Sequence, residues 1–349
     1  MKLFKKIICI LMIFIGMNAY SQNRVGTTAG NFLEIGFGTV GNSMGEAYSS
    51  LTRDLSSTYW NPAGIAYMRY NEAMFMYMPW IADMNIYFAS AGIVLPGMGT
   101  IALNIMNMDY GEMDVTTMDF QEGTGERFSA GDFAFSISYG RKLAQWFAFG
   151  ATLKYVNSRI WHCDAQALAG DLGVIINTQF FSPTGRREDG LNIGMSISNY
   201  GTQLQYDGMD LLRPIDIKEK EAGNYSNVQG QFTLNGWELP LIYRIGISLN
   251  PIATSFHRLK IALDALHPNN NSESINVGTE YALSAGSFGT LFLRCGYKGL
   301  FMDHNQFGFT SGFGIKMFMV GKRSFSLDYS FQNVGVLGNT QSYSMKVSF

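Results

Sequence analysis

The side chains that most often carry chemistry are few and scattered in this chain. None of the histidines stands in a metal-ligand spacing such as H-E-x-x-H, and each lies in or near a separate predicted connection. The pair His162 and Asp164 is as well explained by a polar loop tip. We therefore predict no catalytic residue, no metal site and no cofactor. The histidines are His162, His257, His267 and His304.

A glycine motif near the N-terminus suggests a different chemistry. Residues 36–41, Gly-Phe-Gly-Thr-Val-Gly, fit the G-x-G-x-x-G pattern that cradles a dinucleotide phosphate. That site needs a βαβ unit and an acidic residue about 20 positions further on, at the end of a second strand. Neither follows here. We interpret these glycines as positions where the chain packs closely against another element.

Charged side chains recur instead within segments that alternate apolar and polar residues with period 2. Residues 324–331 and 343–349 are the clearest examples. If the apolar set faces lipid, the charges point into a lumen, because an unpaired charge in hydrocarbon costs roughly 2–4 kcal/mol. The charges could pair with one another or select a permeating solute; pairing is the favoured interpretation. They are Lys154, Asp171, Arg244, Lys260, Asp264, Arg294, Lys298, Lys316, Asp328 and Lys346.

The alternating segments predict an all-β fold, a 14-stranded antiparallel transmembrane β-barrel. About fourteen strand-length segments fit between residues 71 and 349, and bacterial single-chain barrels have even strand numbers. Short connections alternate with longer ones, as expected when both termini are periplasmic. The longest outer loops are predicted at residues 108–127 and 201–239. Pairing of residues 71–78 with 341–349 should close the barrel.

The N-terminus and the composition place the chain outside the cytoplasm. Three lysines precede an apolar run at residues 7–17, and Ala19 and Ser21 suit a cut before Gln22. We predict a signal peptide at residues 1–21 and localisation in the outer membrane of a Gram-negative cell. The net charge of −2 gives no argument for nucleic acid. Of the remaining cysteines, Cys295 alternates with apolar residues and Cys163 lies elsewhere, which favours free thiols over a disulfide.

The segment before the first strand lacks alternation and is too short to hold its own core. We expect residues 22–68 to form a plug or hatch inside the barrel, which then comprises residues 69–349. Four of its charges should find partners among the lumenal ones, because a buried charge left alone is costly. These charges are Glu34, Glu46, Arg53 and Asp54.

Several short runs in the chain form a recognisable set. They are Ala29-Gly30-Asn31-Phe32-Leu33-Glu34-Ile35-Gly36, Met44-Gly45-Glu46-Ala47-Tyr48, the motif Asn61, Pro62, Ala63 and Gly64, and residues 237–241, 262–269, 276–281 and 294–298. Together they resemble the PorV/PorQ family of outer-membrane proteins, which is related to the FadL-like long-chain fatty-acid transporter barrels and shares with them the Asn-Pro-Ala hatch motif. The resemblance covers nearly all of the mature chain.

The resemblance implies a 14-stranded barrel with an N-terminal hatch, from a Bacteroidetes-type outer membrane, with a part in type IX protein secretion. Two functions remain open. The chain is either a secretion accessory that binds a translocon barrel or exported cargo, or a transporter of a hydrophobic ligand. Interrupted pairing near Gly170, Asp171 and Gly173 would favour the transporter.

An accessory needs apolar residues at its outer rim. The longest outer loop carries them, next to the charged stretch at residues 218–221. Further expected partners are outer-membrane lipid and the barrel-assembly machinery, which would read the terminal Phe349. The apolar rim residues are Met209, Leu211, Leu212 and Ile215.

Overall fold

The computed structural model describes residues 26–217, 227–319, 321 and 323–349. The predicted signal peptide, at residues 1–21, lies outside this part. Fourteen long strands dominate it. They are β1 (Glu72–Pro79), β2 (Asn85–Leu95), β3 (Gly99–Asp114), β4 (Arg127–Ala144), β5 (Phe147–Ile160), β6 (Cys163–Asn177), β7 (Asn192–Gly201), β8 (Ile242–Ala253), β9 (His257–Pro268), β10 (Ser274–Ser284), β11 (Gly289–Leu300), β12 (Phe309–Phe318), β13 (Ser324–Asn333) and β14 (Asn339–Ser348).

Each long strand pairs antiparallel with its neighbours in chain order, and the first pairs with the last. In that closing ladder Ala73 lies opposite Val347 and Met76 opposite Ser344. The Phe349 N–H donates to the Asn71 carbonyl at 2.9 Å. The closed 14-stranded barrel and the predicted closing pair are therefore confirmed. Closure leaves no unpaired edge for a bilayer to satisfy.

The two faces of each strand differ as the alternation requires. In β8, Tyr243, Ile245 and Ile247 are exposed, whereas Arg244 and Ser248 between them are almost fully buried. The same pattern runs through β14, where Tyr343 and Met345 face outward and Ser342 and Ser344 face inward. The barrel thus presents an apolar outside. Its inside is polar on strands such as β8 and β14 but apolar on β1, where Met74, Met76 and Met78 face inward.

Strands β3 and β4 run further than the sequence indicates. Residues 108–127 are predicted as an outer loop, but only residues 115–126 connect these strands. The pairing continues past a bulge between Asp109 and Glu112, and beyond it Arg127 Nε donates to Asp114 Oδ1 at 3.1 Å. Polar side chains end the apolar alternation there, while the backbone ladder does not depend on it.

The longest connection, residues 202–241, is less irregular than predicted. Its short strand Tyr206–Gly208 extends the sheet by pairing with the start of β6. A second short strand, Leu212–Ile215, pairs with Val228–Gln231 in a separate hairpin. An isolated bridge joins Leu204 to Trp237 at the base of the connection. The charged stretch at residues 218–221 lies outside the described residues.

The N-terminal segment, residues 26–68, contributes a large share of the apolar core. It consists of short helical turns joined by loops, and Phe37, Trp60 and Ile65 within it are completely buried. Among the described residues, no helix is long and apolar enough to cross a membrane. The turns are Asn31–Glu34, Thr39–Ser43, Ser57–Trp60 and Pro62–Tyr67.

Candidate functional site: the lumen and the outer rim

The N-terminal segment contacts inward-facing groups around the barrel circumference. The backbone N–H groups of Tyr48 and Ser49 donate to the Asp264 carboxylate of β9, at 3.0 and 2.8 Å. On other sides, Ser196 Oγ of β7 donates to the Trp60 carbonyl and Thr310 Oγ1 of β12 to the Ser43 carbonyl. The segment therefore contacts strands on several sides of the barrel wall.

The hatch motif is a helix start tied to the wall. Asn61 Oδ1 accepts the Ala63 N–H, and Pro62 occupies the first helical position, where its missing N–H costs nothing. The Asn61 side-chain amide also donates to the Val174 carbonyl of β6 at 3.0 Å. A side chain on Gly64 would collide with Ser57 and the Thr52 carbonyl. Each residue type in the motif thus has a local reason.

A belt of wall glycines lets the N-terminal segment approach the strands closely. A Cβ added at Gly150 of β5 would lie 2.2 Å from the Pro62 backbone, and one at Gly173 of β6 would lie 2.1 Å from Asn61 Oδ1. On the opposite side, a Cβ at Gly296 would lie 2.3 Å from the Met44 backbone. From the sequence, Gly173 is considered only as a place of interrupted strand pairing, and this role is missed. The signal was available, since these glycines fall on the inward-facing phase of their strands.

Two buried ion pairs also join the segment to the wall. Asp54 Oδ2 lies 2.6 Å from Lys346 Nζ of β14, and Glu46 Oε1 lies 2.6 Å from Lys298 Nζ of β11. Arg53 bonds neutral amides instead, donating to Asn177 and Asn192 at 3.3 Å. Burial raises the pKa of the Asp54 carboxyl, but the Lys346 ammonium and the Ser56 hydrogen bonds outweigh it, so the pKa lies below its ordinary value.

We expect Asp54→Asn to destabilise the chain by about 3–5 kcal/mol, because it leaves Lys346 buried without its carboxylate. The folded-state pKa of Asp54 lies below its unfolded value, so its contribution is complete above that unfolded value and lost as pH falls through the folded pKa. Denaturant unfolding in detergent, followed by heat-dependent gel mobility, measures the change. Lys346→Met added to Asp54→Asn should recover part of the loss, and Arg127→Gln in an exposed pair should change nothing measurable. An unchanged midpoint for Asp54→Asn would show that the pair contributes nothing.

The predicted lumenal charges form two compact groups. Lys154 Nζ lies 2.8 Å from Asp171 Oδ2 and donates to Asn199 Oδ1 at 2.7 Å. Arg294 donates to Glu280 at 2.7 Å and to Asp328 at 2.6 Å. Lys260 also contacts Glu280, at 2.8 Å. Sequence reasoning misses Glu280 as a lumenal charge, although it lies on the same strand face as Asn276.

The remaining predicted charges are placed differently. Arg244 is buried over the rings of Tyr59 and Trp60, with its guanidinium carbon 5.4 and 5.7 Å from their centroids. Asp264 receives the two backbone N–H groups described above. Lys316 is half-buried, with its ammonium 5.8 Å from the Phe318 ring.

The interruption predicted near Gly170 exists as a bulge in the β6–β7 pairing. The Asn199 N–H at this bulge donates to Asp171 Oδ1 at 2.7 Å, and the Asn199 amide donates to the Pro240 carbonyl at 2.9 Å. Lys154 contacts the same two side chains. The broken ladder is therefore closed by polar side chains at this point.

In the described part of the chain, His162 and His267 lie in separate polar pairs. His162 Nδ1 lies 3.0 Å from Asp210, whose pKa this hydrogen bond lowers, and His267 Nδ1 lies 3.1 Å from Glu273. Residues 41–45, Gly-Asn-Ser-Met-Gly, fit the nucleophile pattern G-x-S-x-G, a match that sequence reasoning overlooks. Ser43 there is buried and donates to the Val40 carbonyl at 2.7 Å. No cluster of three or more metal-ligating side chains occurs in the part of the chain that the structure describes.

The connection 202–241 carries the apolar residues that are predicted for the outer rim. Met209 is 66% exposed and Ile215 42% exposed, whereas Leu211 and Leu212 are half-buried. Phe232 and Trp237 of the same connection are exposed, and neither is predicted as a rim residue. Cys163, close to this connection, is a buried free thiol, and Cys295 is a free thiol on the outward face of β11.

Solved transport proteins share the fold of this barrel. The toluene transporter TodX of Pseudomonas putida superposes with a TM-score of 0.55 at 12% identity, covering 89% of this chain and 96% of that chain. A FadL homologue of Pseudomonas aeruginosa has a TM-score of 0.52 at 11% identity, covering 94% and 99%. At such identities the likeness shows the fold alone. No curated protein matches the chain significantly.

The family of the chain follows from comparison of its sequence with family models. The model of the type IX secretion system protein PorV matches residues 18–211, more than half of the chain. The chain belongs to the PorV family, which confirms the predicted resemblance. The matched family and the similar structures are named for secretion and transport, not for a reaction.

Proposed function

We propose that this protein is an outer-membrane accessory of type IX secretion, whose outer rim binds the translocon or its exported cargo. The observation that carries the proposal is the match to the family of the type IX secretion system protein PorV. The apolar outward face of the strands suits a lipid bilayer. The periplasmic end then holds both termini, and the connection 202–241 lies on the cell surface.

The outer rim has the features of a protein contact. Met209, Ile215 and Phe232 expose apolar surface on a connection held by its own hairpin and by the Leu204–Trp237 bridge. Exposed aromatic and methionine side chains within a polar surround are enriched at protein interfaces. A braced loop also loses less conformational entropy on binding than a free one.

The contacts of the N-terminal segment with the wall support a closed lumen, as expected for a secretion accessory. Its backbone lies against wall glycines, and its charges pair with lysines of β11 and β14. A transporter of hydrophobic ligands would need a path past this segment or through the wall. The similar folds of TodX and of the FadL homologue are the reason to test that alternative. The bulge near Asp171, however, is filled by polar side chains.

We expect replacement of residues 209–233 by a linker of about six glycine and serine residues to abolish secretion or surface attachment of cargo. The cut keeps the Leu204–Trp237 bridge and the pairing of Tyr206–Gly208 with β6, so the barrel should keep its heat-dependent gel mobility. Cargo in the medium and on the cell surface is the measurement. The same shortening of residues 115–126 is the matched control. Normal secretion together with lost uptake of a hydrophobic solute would favour the transporter instead.

A further inference from the structure

A small cavity lies between the N-terminal segment and strands β8 to β11, at the end of the barrel that carries the connection 202–241. Its volume is about 100 Å³, the share of about three waters. Met302 and Phe307, from the connection between β11 and β12, form apolar lining near the barrel end. Arg244 and Asn276 contribute polar lining from the wall.

Two of the polar lining residues, Arg244 and Asn276, carry a donor without a partner among the described residues. Arg244 and Asn276 are each 1% exposed, and neither Arg244 Nε nor Asn276 Nδ2 has a hydrogen-bond partner among the described residues. The orientation of the Asn276 amide is set by its other end, since its Oδ1 accepts the Gly299 N–H at 2.8 Å. A buried donor left unsatisfied costs about 1–3 kcal/mol. Two of them lining one cavity indicate that an acceptor belongs there.

The charge balance favours an anionic acceptor. Arg244 has no carboxylate of the described residues within 4.0 Å; its Nη1 donates to Ser198 Oγ at 3.2 Å. Its guanidinium rests on the Tyr59 and Trp60 rings, which orient it. Of the two carboxyls that line the cavity, Glu46 is paired with Lys298. Burial raises the pKa of the other, Glu34, above its ordinary value.

We propose that this cavity binds a carboxylate group, with its oxygens accepting from Arg244 Nε and Asn276 Nδ2. The volume admits the carboxylate and one or two adjoining carbon atoms, which would contact Met302 and Phe307. A free short-chain acid and the C-terminal carboxylate of a peptide offer the same chemistry. The proposal does not depend on the role in secretion.

The test uses the mature chain in detergent, in a buffer free of carboxylates. Titration calorimetry is performed with propionate, with an N-acetylated tripeptide acid, and with its C-terminal amide. Asn276→Asp keeps the oxygen that accepts the Gly299 N–H but removes the donor, and Arg244→Lys keeps the charge but removes Nε. Asn333→Asp, on an exposed residue of β13, is the control.

We expect saturable binding of propionate or the peptide acid, weakened at least tenfold by Asn276→Asp and by Arg244→Lys, and unchanged by Asn333→Asp. A peptide acid that binds at least tenfold more tightly than propionate identifies a chain end as the source, and otherwise the source is a small acid. If a substituted chain fails to fold, binding is instead followed in the unaltered chain by the NMR signal of carboxyl-labelled propionate, which should shift if its carboxylate is bound. The proposal is overturned if the unaltered chain binds neither acid, if the amide binds as tightly as the peptide acid, or if folded Asn276→Asp binds like the unaltered chain.

Discussion

Deletion of residues 27–67 will turn a closed barrel into a conducting one. The wall is complete without these residues, because the fourteen long strands pair with one another in a closed ring, from β1 through to β14. The segment supplies the groups that fill the cross-section, including Trp60 and Phe37. Once it is gone, the lumenal charges can be hydrated by water entering from both ends, so the barrel should stay folded. Discrete openings in planar bilayers should appear that the intact chain lacks.

A loop-shortened chain without residues 209–233 is the matched control for the conductance measurement. This change removes residues from the rim and leaves the N-terminal segment in the lumen, so the shortened barrel should stay closed. Equal conductance of the intact and deleted chains, with both barrels folded, would mean that residues 27–67 do not seal the lumen.

The second large effect is expected when a single methyl group is added to a wall glycine, Gly150. Gly150→Ala should displace part of the N-terminal segment from the barrel wall, because the new Cβ would lie 2.2 Å from the Pro62 backbone. A backbone atom cannot move aside as the end of a flexible side chain can. Overpacking of this kind costs about 1–3 kcal/mol. The measurement is protease cleavage within residues 26–68 in detergent, which should rise at least several-fold.

Gly170→Ala is the control for this substitution. Gly170 lies in the neighbouring strand β6, and the contact nearest to its added Cβ is the Thr152 carbonyl at an ordinary 3.5 Å. It should leave the cleavage rate unchanged. Similar cleavage of both substituted chains would contradict the idea that the glycine belt seats the segment.

The wall of this fold was predictable from the sequence because period-2 alternation reports directly which face meets lipid. The strand number and the closing pair of residues 71–78 with 341–349 followed from it. The ends of β3 and β4 did not, since a ladder such as Asp114 with Arg127 is held by backbone pairing that leaves no apolar pattern. The short strands of residues 206–231 were missed for the same reason.

For the lumenal contacts, the sequence predicts which side chains face the lumen but not the partners that they bind. Alternation places Asp264 inside, but nothing in the pattern shows that it accepts the Tyr48 and Ser49 N–H groups, because those residues are more than 200 positions away. Glycines such as Gly150 and Gly296 look like bends along one strand. Their common role becomes visible only when the strands are set side by side around the segment they surround.

Co-purification from native membranes tests the central claim most directly. The tagged chain, expressed at its natural level, should recover a large translocon barrel of the type IX secretion system or its exported cargo. The chain shortened at residues 209–233 should recover neither, at equal abundance in the outer membrane. Recovery of neither by the intact chain, or equal recovery by both, would contradict the assignment of this protein as a secretion accessory that acts through its outer rim.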